Sequence, residues 1–124
     1  MSEHLERAFA LDNGGDEHGA VVEYERALEA GVPDELLAKA LLGYGSTLRN
    51  VGRNDDSVRV LSEAVERFPE HQALPVFLAF SLWTAGRRGE ALAVVARRLG
   101  DGSGYERSIS SYADEIAAES RSPS

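Results

Sequence analysis

The chain of 124 residues carries 21 acidic and 13 basic side chains, a formal net charge of −8, and no cysteine. That balance argues against nucleic acid, whose backbone is bound by clustered Lys and Arg that displace counterions, and against an anionic membrane surface. Disulfides and thiolate metal sites are excluded, and the 43% of apolar residues is enough for one packed domain.

The apolar spacing is helical throughout, with no sustained alternation of period two, so no strand is expected. Turn residues divide the chain at DNGGDEHG (12–19), AGVPDE (30–35), NVGRND (50–55), RFPEHQ (67–72), AGRRGE (85–90) and GDGSG (100–104). The first two helices are predicted over 3–12 and 17–30. The third, over 34–51, takes Pro33 into its first turn, where a missing N–H costs nothing and Asp34 and Glu35 face the positive end of the helix dipole. The fourth, over 55–67, has Asn54 in place to cap it. The fifth, over 73–85, can begin no earlier than about Gln72, because Pro75 deeper inside would break a hydrogen bond. The sixth spans 88–99. The seventh, over 104–119, has Ser103 and Glu106 at capping-box spacing, and SRSPS at 120–124 reads as a disordered tail.

These helices repeat in pairs. On a frame of 34 residues, segments 1–34, 38–71 and 72–105 superpose, with three extra residues at 35–37. Position 8 holds Ala8, Gly45 and Ala79, and position 20 holds Ala20, Ser57 and Ala91. Both must be small where two antiparallel helices approach closely. Position 11 holds Leu11, Leu48 and Leu82; position 24 holds Tyr24, Leu61 and Val95. Position 15 holds Gly15, Gly52 and Gly86, each just past a helix, where a left-handed residue is wanted. Ala27 and Ala64 occupy position 27, and Pro69 closes the second unit.

A helix–turn–helix period of 34 residues with this pattern resembles the tetratricopeptide repeat family over nearly the whole chain. The resemblance implies an all-α superhelical solenoid: three helical hairpins in a single domain over 1–119, closed by a capping helix over about 104–119. His4 and Arg7 depart from the large apolar residues of positions 4 and 7, which suits a solvent-facing first helix. Arg98 stands where a small residue belongs at position 27. Counted from Glu106, residues Ile109, Tyr112, Ala113 and Ile116 fall at positions 4, 7, 8 and 11. The seventh helix thus resembles the first helix of a fourth unit, and is expected to cover the apolar end of the third.

In the family, the first helices line a concave groove that holds a peptide or another protein's helix. The resemblance puts Leu5 and Phe9 there from the first repeat, with Ser2 and Asp12. The second repeat gives Leu42, Arg49 and Asn50, and the third Val76, Phe80 and Trp83. Such a trough is largely apolar, with Arg49 and Asn50 as its polar features. Exposed apolar area on this scale marks a contact site, although Phe80 and Trp83 compete with Phe77 and Leu78 for burial. The carboxylate clamp of chaperone-binding members is not expected, because its positions hold Leu5, Phe9, Gly43, Ala73 and Phe77, with no cation or amide among them.

No catalytic, metal or cofactor motif stands out. His4, His18 and His71 lack ligand spacing. A calcium loop starting at Asp12 fails because Glu17 stands where glycine is required. GDGSG follows a helix and lacks the GK[ST] ending of a phosphate cradle, so it reads as a hinge. The expected function is a non-enzymatic interaction module, without cofactor, that binds a protein or peptide and forms a homodimer through the third repeat. The alternative is a small-molecule or regulatory ligand sensor using the corner of Arg49, Asn50 and Trp83. With no leader-like start in MSEHLERAF and no membrane-length apolar run, a cytoplasmic location is expected. Lys39 as the lone lysine among many arginines fits a GC-rich bacterial genome.

Overall fold

The computed structural model describes residues 3–121, and among these every regular element is a helix. The seven helices are α1 (Glu3–Asn13), α2 (Glu17–Ala30), α3 (Asp34–Asn50), α4 (Asn54–Arg67), α5 (Ala73–Thr84), α6 (Arg88–Gly100) and α7 (Glu106–Arg121). Every boundary lies within two residues of the predicted one. Ser2 lies outside the described residues. So do 122–124 of the expected tail, whereas Arg121 still belongs to α7.

Helices α1–α2, α3–α4 and α5–α6 form three antiparallel hairpins, and the first helix of each later hairpin packs on the hairpin before it. All three hairpin turns close in the same way. Gly15, Gly52 and Gly86 adopt φ of 87°, 88° and 82°, which only glycine holds without a steric penalty. Each turn then makes two further bonds. The N–H after the glycine reaches the carbonyl of Leu11, Leu48 or Leu82, and the glycine N–H reaches that of Asp12, Arg49 or Trp83. This is the Schellman closure, which satisfies carbonyls that a helix end would leave orphaned.

Two helix caps differ by one residue from the expectation. Pro33 sits at the N-cap of α3, with ψ of 144°, and its carbonyl accepts from Leu36 N–H at 2.9 Å. Arg53 takes the cap of α4, its carbonyl accepting from Ser57 N–H at 3.0 Å, so Asn54 is the first helical residue. Ser103 and Glu106 also share the work differently from a capping box. Ser103 Oγ accepts from Tyr105 N–H at 3.1 Å, and the Glu106 carboxylate accepts from Gly104 N–H at 3.3 Å. Backbone N–H groups, first that of Glu106 itself and then that of Gly104, hold this carboxyl below its usual range.

The small residues of positions 8 and 20 are buried in all three hairpins. One core unites α1, α2 and α3 around Leu5, Tyr24 and Leu48; a second unites α4, α5 and α6 around Leu61, Leu74 and Leu82. Leu41 packs against both. In the middle hairpin the approach leaves no room for a side chain at position 8. A Cβ on Gly45 would strike the buried side chain of Leu61, and Ser57 Oγ reaches the Gly45 carbonyl at 2.6 Å. Ser57 has one hydroxyl proton, and it goes to that carbonyl. Its 2.7 Å contact with Ser81 Oγ is therefore donated by Ser81. This chain of two hydroxyls ties α3, α4 and α5 at full burial, where an unpaired hydroxyl would cost about 1–3 kcal/mol.

Gly45→Ala is expected to lower unfolding free energy by about 1–3 kcal/mol, because overpacking against Leu61 outweighs the helix-propensity gain of alanine. Chemical denaturation compared with wild type measures it.

Candidate functional site

Across the first helices, the structure divides the groove candidates into three kinds. Leu5 is fully buried in the first core and has no surface to offer a ligand. Its expected place in the groove is corrected: α1 lies so close to α2 and α3 that position 5 is enclosed. Phe9 and Leu42 are half-buried and packed on the two cores. The Phe9 ring meets Tyr24 edge-on, with centroids 6.0 Å apart, and lies under Lys39 Nζ at 4.7 Å.

Arg49 and Asn50 are spent on holding hairpins together. Arg49 Nε donates to Thr84 Oγ1 at 2.8 Å, bridging α3 to α5, and Asn50 Nδ2 donates to Glu17 Oε1 at 2.9 Å, bridging α3 to α2. Asp12 is likewise structural, since it accepts from Tyr24 Oη at 2.9 Å and lies 3.2 Å from Thr47 Oγ1, whose shorter bond, 2.7 Å, goes to the Gly43 carbonyl. Burial first, and the Asp12 carboxylate second, push the Tyr24 hydroxyl above its ordinary range. Tyr44, which donates to Glu25 at 2.8 Å, is pushed up to about 12 by burial first and by the Glu25 carboxylate second. Both hydroxyls therefore stay protonated and act as fixed donors.

The remaining candidates, Val76, Phe80 and Trp83, form an exposed stripe along α5, at i, i+4 and i+7. Phe80 is 49% exposed and Trp83 56%. The stripe continues onto α6. Val76 lines an open trough of about 490 Å³ with Pro75, Leu92, Val95 and Leu99, and Arg98 stands at its edge. Arg88 closes the other end, its guanidinium 4.5 Å from the Trp83 ring centroid, a cation–π geometry.

Leu92 and Leu99 were not among the groove candidates, yet the frame marks them. They occupy positions 21 and 28. The earlier residues of position 21, Val21 and Val58, are only 5% and 6% exposed, because the next hairpin covers them; Leu28 and Val65 of position 28 pack against the same two cores. In the third hairpin, Leu92 is 53% and Leu99 88% exposed. Among the described residues, nothing takes the seat that the next hairpin takes elsewhere.

The seventh helix was expected in that seat and lies in another. α7 packs on α6 and on no other helix among the described residues. Its contact is built from Ala93, Ala113 and Ala117, from Ile109 lying where a Gly100 side chain would be, and from an ion pair between Arg97 and Asp114. Residues 93, 97 and 100 form the stripe next to 92, 96 and 99, roughly 100° further round the helix. In the first two hairpins the counterparts of Ala93 and Gly100 are Val22 and Glu29, then Arg59 and Glu66, all exposed. Alanine and glycine at these two places let α7 approach a face that the other hairpins leave in solvent.

The histidines stand apart. His4 Nδ1 lies 2.6 Å from Glu23 Oε2, His71 Nδ1 accepts from Leu74 N–H at 3.3 Å, and His18 is exposed. Among the described residues no three His, Asp or Glu side chains converge on a metal position, and no helix is long and apolar enough to cross a membrane.

A protein-family model described as tetratrico peptide repeat matches residues 2–116. No curated protein and no solved structure matches the chain.

Gly100→Val should collide with Ile109 and unseat α7. Hydrogen exchange is expected to speed up at least about tenfold across residues 106–119 while α3 to α5 keep their protection. Unchanged exchange in α7 would contradict the seat described.

Proposed function

The chain belongs to the tetratricopeptide repeat family, whose members typically mediate protein–protein binding and are generally non-enzymatic, and on that premise we propose that it is a non-catalytic scaffold that self-associates through its third hairpin. The observation that carries this reading is the stripe of Val76, Phe80 and Trp83, exposed and continuous with Leu92 and Leu99. Contiguous apolar surface of this kind is uncommon on monomers and marks a contact site. Trp is among the commonest interface anchors, and two-fold homodimers are the commonest oligomers.

The part-buried concave side near Phe9, Lys39 and Leu42 stays available for a further protein or peptide. The trough is open and almost wholly apolar, and Arg49 and Asn50 are already engaged, so a protein surface suits this region better than a small polar ligand. The cytoplasm is the location we propose.

Sedimentation velocity at micromolar concentration tests the reading. Wild type is expected to sediment as a dimer, and Trp83→Ala or Phe80→Ala to weaken association at least about tenfold. A wild-type monomer at every concentration, unchanged by Trp83→Ala, would remove the proposal.

A further inference from the structure

On the self-association reading above, we infer that the uncovered end of the third hairpin receives the outer flank of α7 from a second copy, each chain giving and receiving one such contact. The two surfaces are complementary in apolar character and in the sign of their charged side chains. Of the four arginines in residues 73–100, Arg87 pairs with Glu90, Arg97 with Asp114 and Arg98 at 3.7 Å with Asp101, while Arg88 lies over Trp83. Two of them, Arg88 over Trp83 and Arg98 beside the trough, frame the apolar end.

The opposite composition lies on α7. Tyr112, Glu115 and Glu119 recur at i, i+3 and i+7, so they share one face of the helix, and all three are exposed. Tyr105 leads into the helix at 68% exposure, and Tyr112 is 65% exposed. This flank offers two large rings for an apolar trough and two carboxylates for its arginine rim. Tyr, Trp and Arg are the side chains that most often anchor interfaces, and opposite charge steers the encounter.

The seat of α7 on its own α6 uses Ala113 and Ala117, a different face, so docking leaves each chain folded as it stands. Direct pairing of two end faces is the competing arrangement. It would bring Arg88 of both copies, each seated over its own Trp83, to one apolar interface, and like charges brought together oppose association. The reciprocal contact avoids this and closes as a two-fold dimer.

Sedimentation velocity of purified full-length variants, each shown folded by circular dichroism, tests the inference. Tyr112→Ala is expected to weaken dimerisation at least about tenfold. The Arg88→Glu/Arg98→Glu variant and the Glu115→Arg/Glu119→Arg variant should each be monomeric alone, because like charges then meet at both contacts. An equimolar mixture of the two should recover dimers, since each end face then meets an α7 of opposite sign. If Trp83→Ala breaks the dimer while Tyr112→Ala and Glu115→Arg/Glu119→Arg dimerise as wild type, the α7 contact is wrong and the third-hairpin reading survives. A wild-type monomer overturns both.

Discussion

The structure depends on how closely two antiparallel helices can lie. At positions 8 and 20 of each repeat the facing residues are Ala8 and Ala20, Gly45 and Ser57, Ala79 and Ala91, all buried. Small side chains there bring the helix backbones together, and the larger residues of positions 11 and 24 then fill the space on either side at native packing density. The Schellman turns at Gly15, Gly52 and Gly86 fix the sense of each hairpin. Stacking follows, because a hairpin with one apolar side must hide it against a neighbour. The middle junction adds a polar tie: buried Ser81 donates to Ser57, which donates to Gly45. Hydroxyls so enclosed allow one register between α3, α4 and α5, since any slip leaves a proton or lone pair unpaired.

The same device, used in an unfamiliar place, decides the far end of the molecule. Ala93 and Gly100 are small on a side of α6 that the earlier hairpins expose. They admit α7, and Arg97 with Asp114 holds it there. The third hairpin is thus covered on one side and left open on the side where its predecessors receive the next unit. The exposure of Leu92 and Leu99, so unlike that of Val21 and Val58, is a direct result of where α7 lies.

Much of this was legible in the sequence because the deciding signals are local. Turn residues placed all seven helices within two residues, and the glycine of position 15 fixed the turn geometry. The errors arose where one residue has two plausible partners. Asn54 is a good cap by type, but the Arg53 carbonyl took the position. Asp12 occupies a groove position, yet Tyr24 and Thr47 reach it first. Leu5 follows the groove pattern and is enclosed all the same. The seat of α7 was misjudged because Ile109, Tyr112, Ala113 and Ile116 match a first helix, whereas the choice was written on the other partner. Comparing Ala93 with Val22 and Arg59, and Gly100 with Glu29 and Glu66, carries that information, and a reading of α7 alone does not.

The bare end of α5 and α6 has a consequence for how such a chain can lengthen. A duplicated hairpin following this one would find its bed already formed, with Pro75, Val76, Leu92, Val95 and Leu99 in place, while α7 rests on a different side of α6. Growth by tandem duplication therefore leaves this bed as it stands, and only the 101–105 link into α7 has to be rerouted. The terminus behaves as an unfinished edge in a masonry course, shaped to accept one more block.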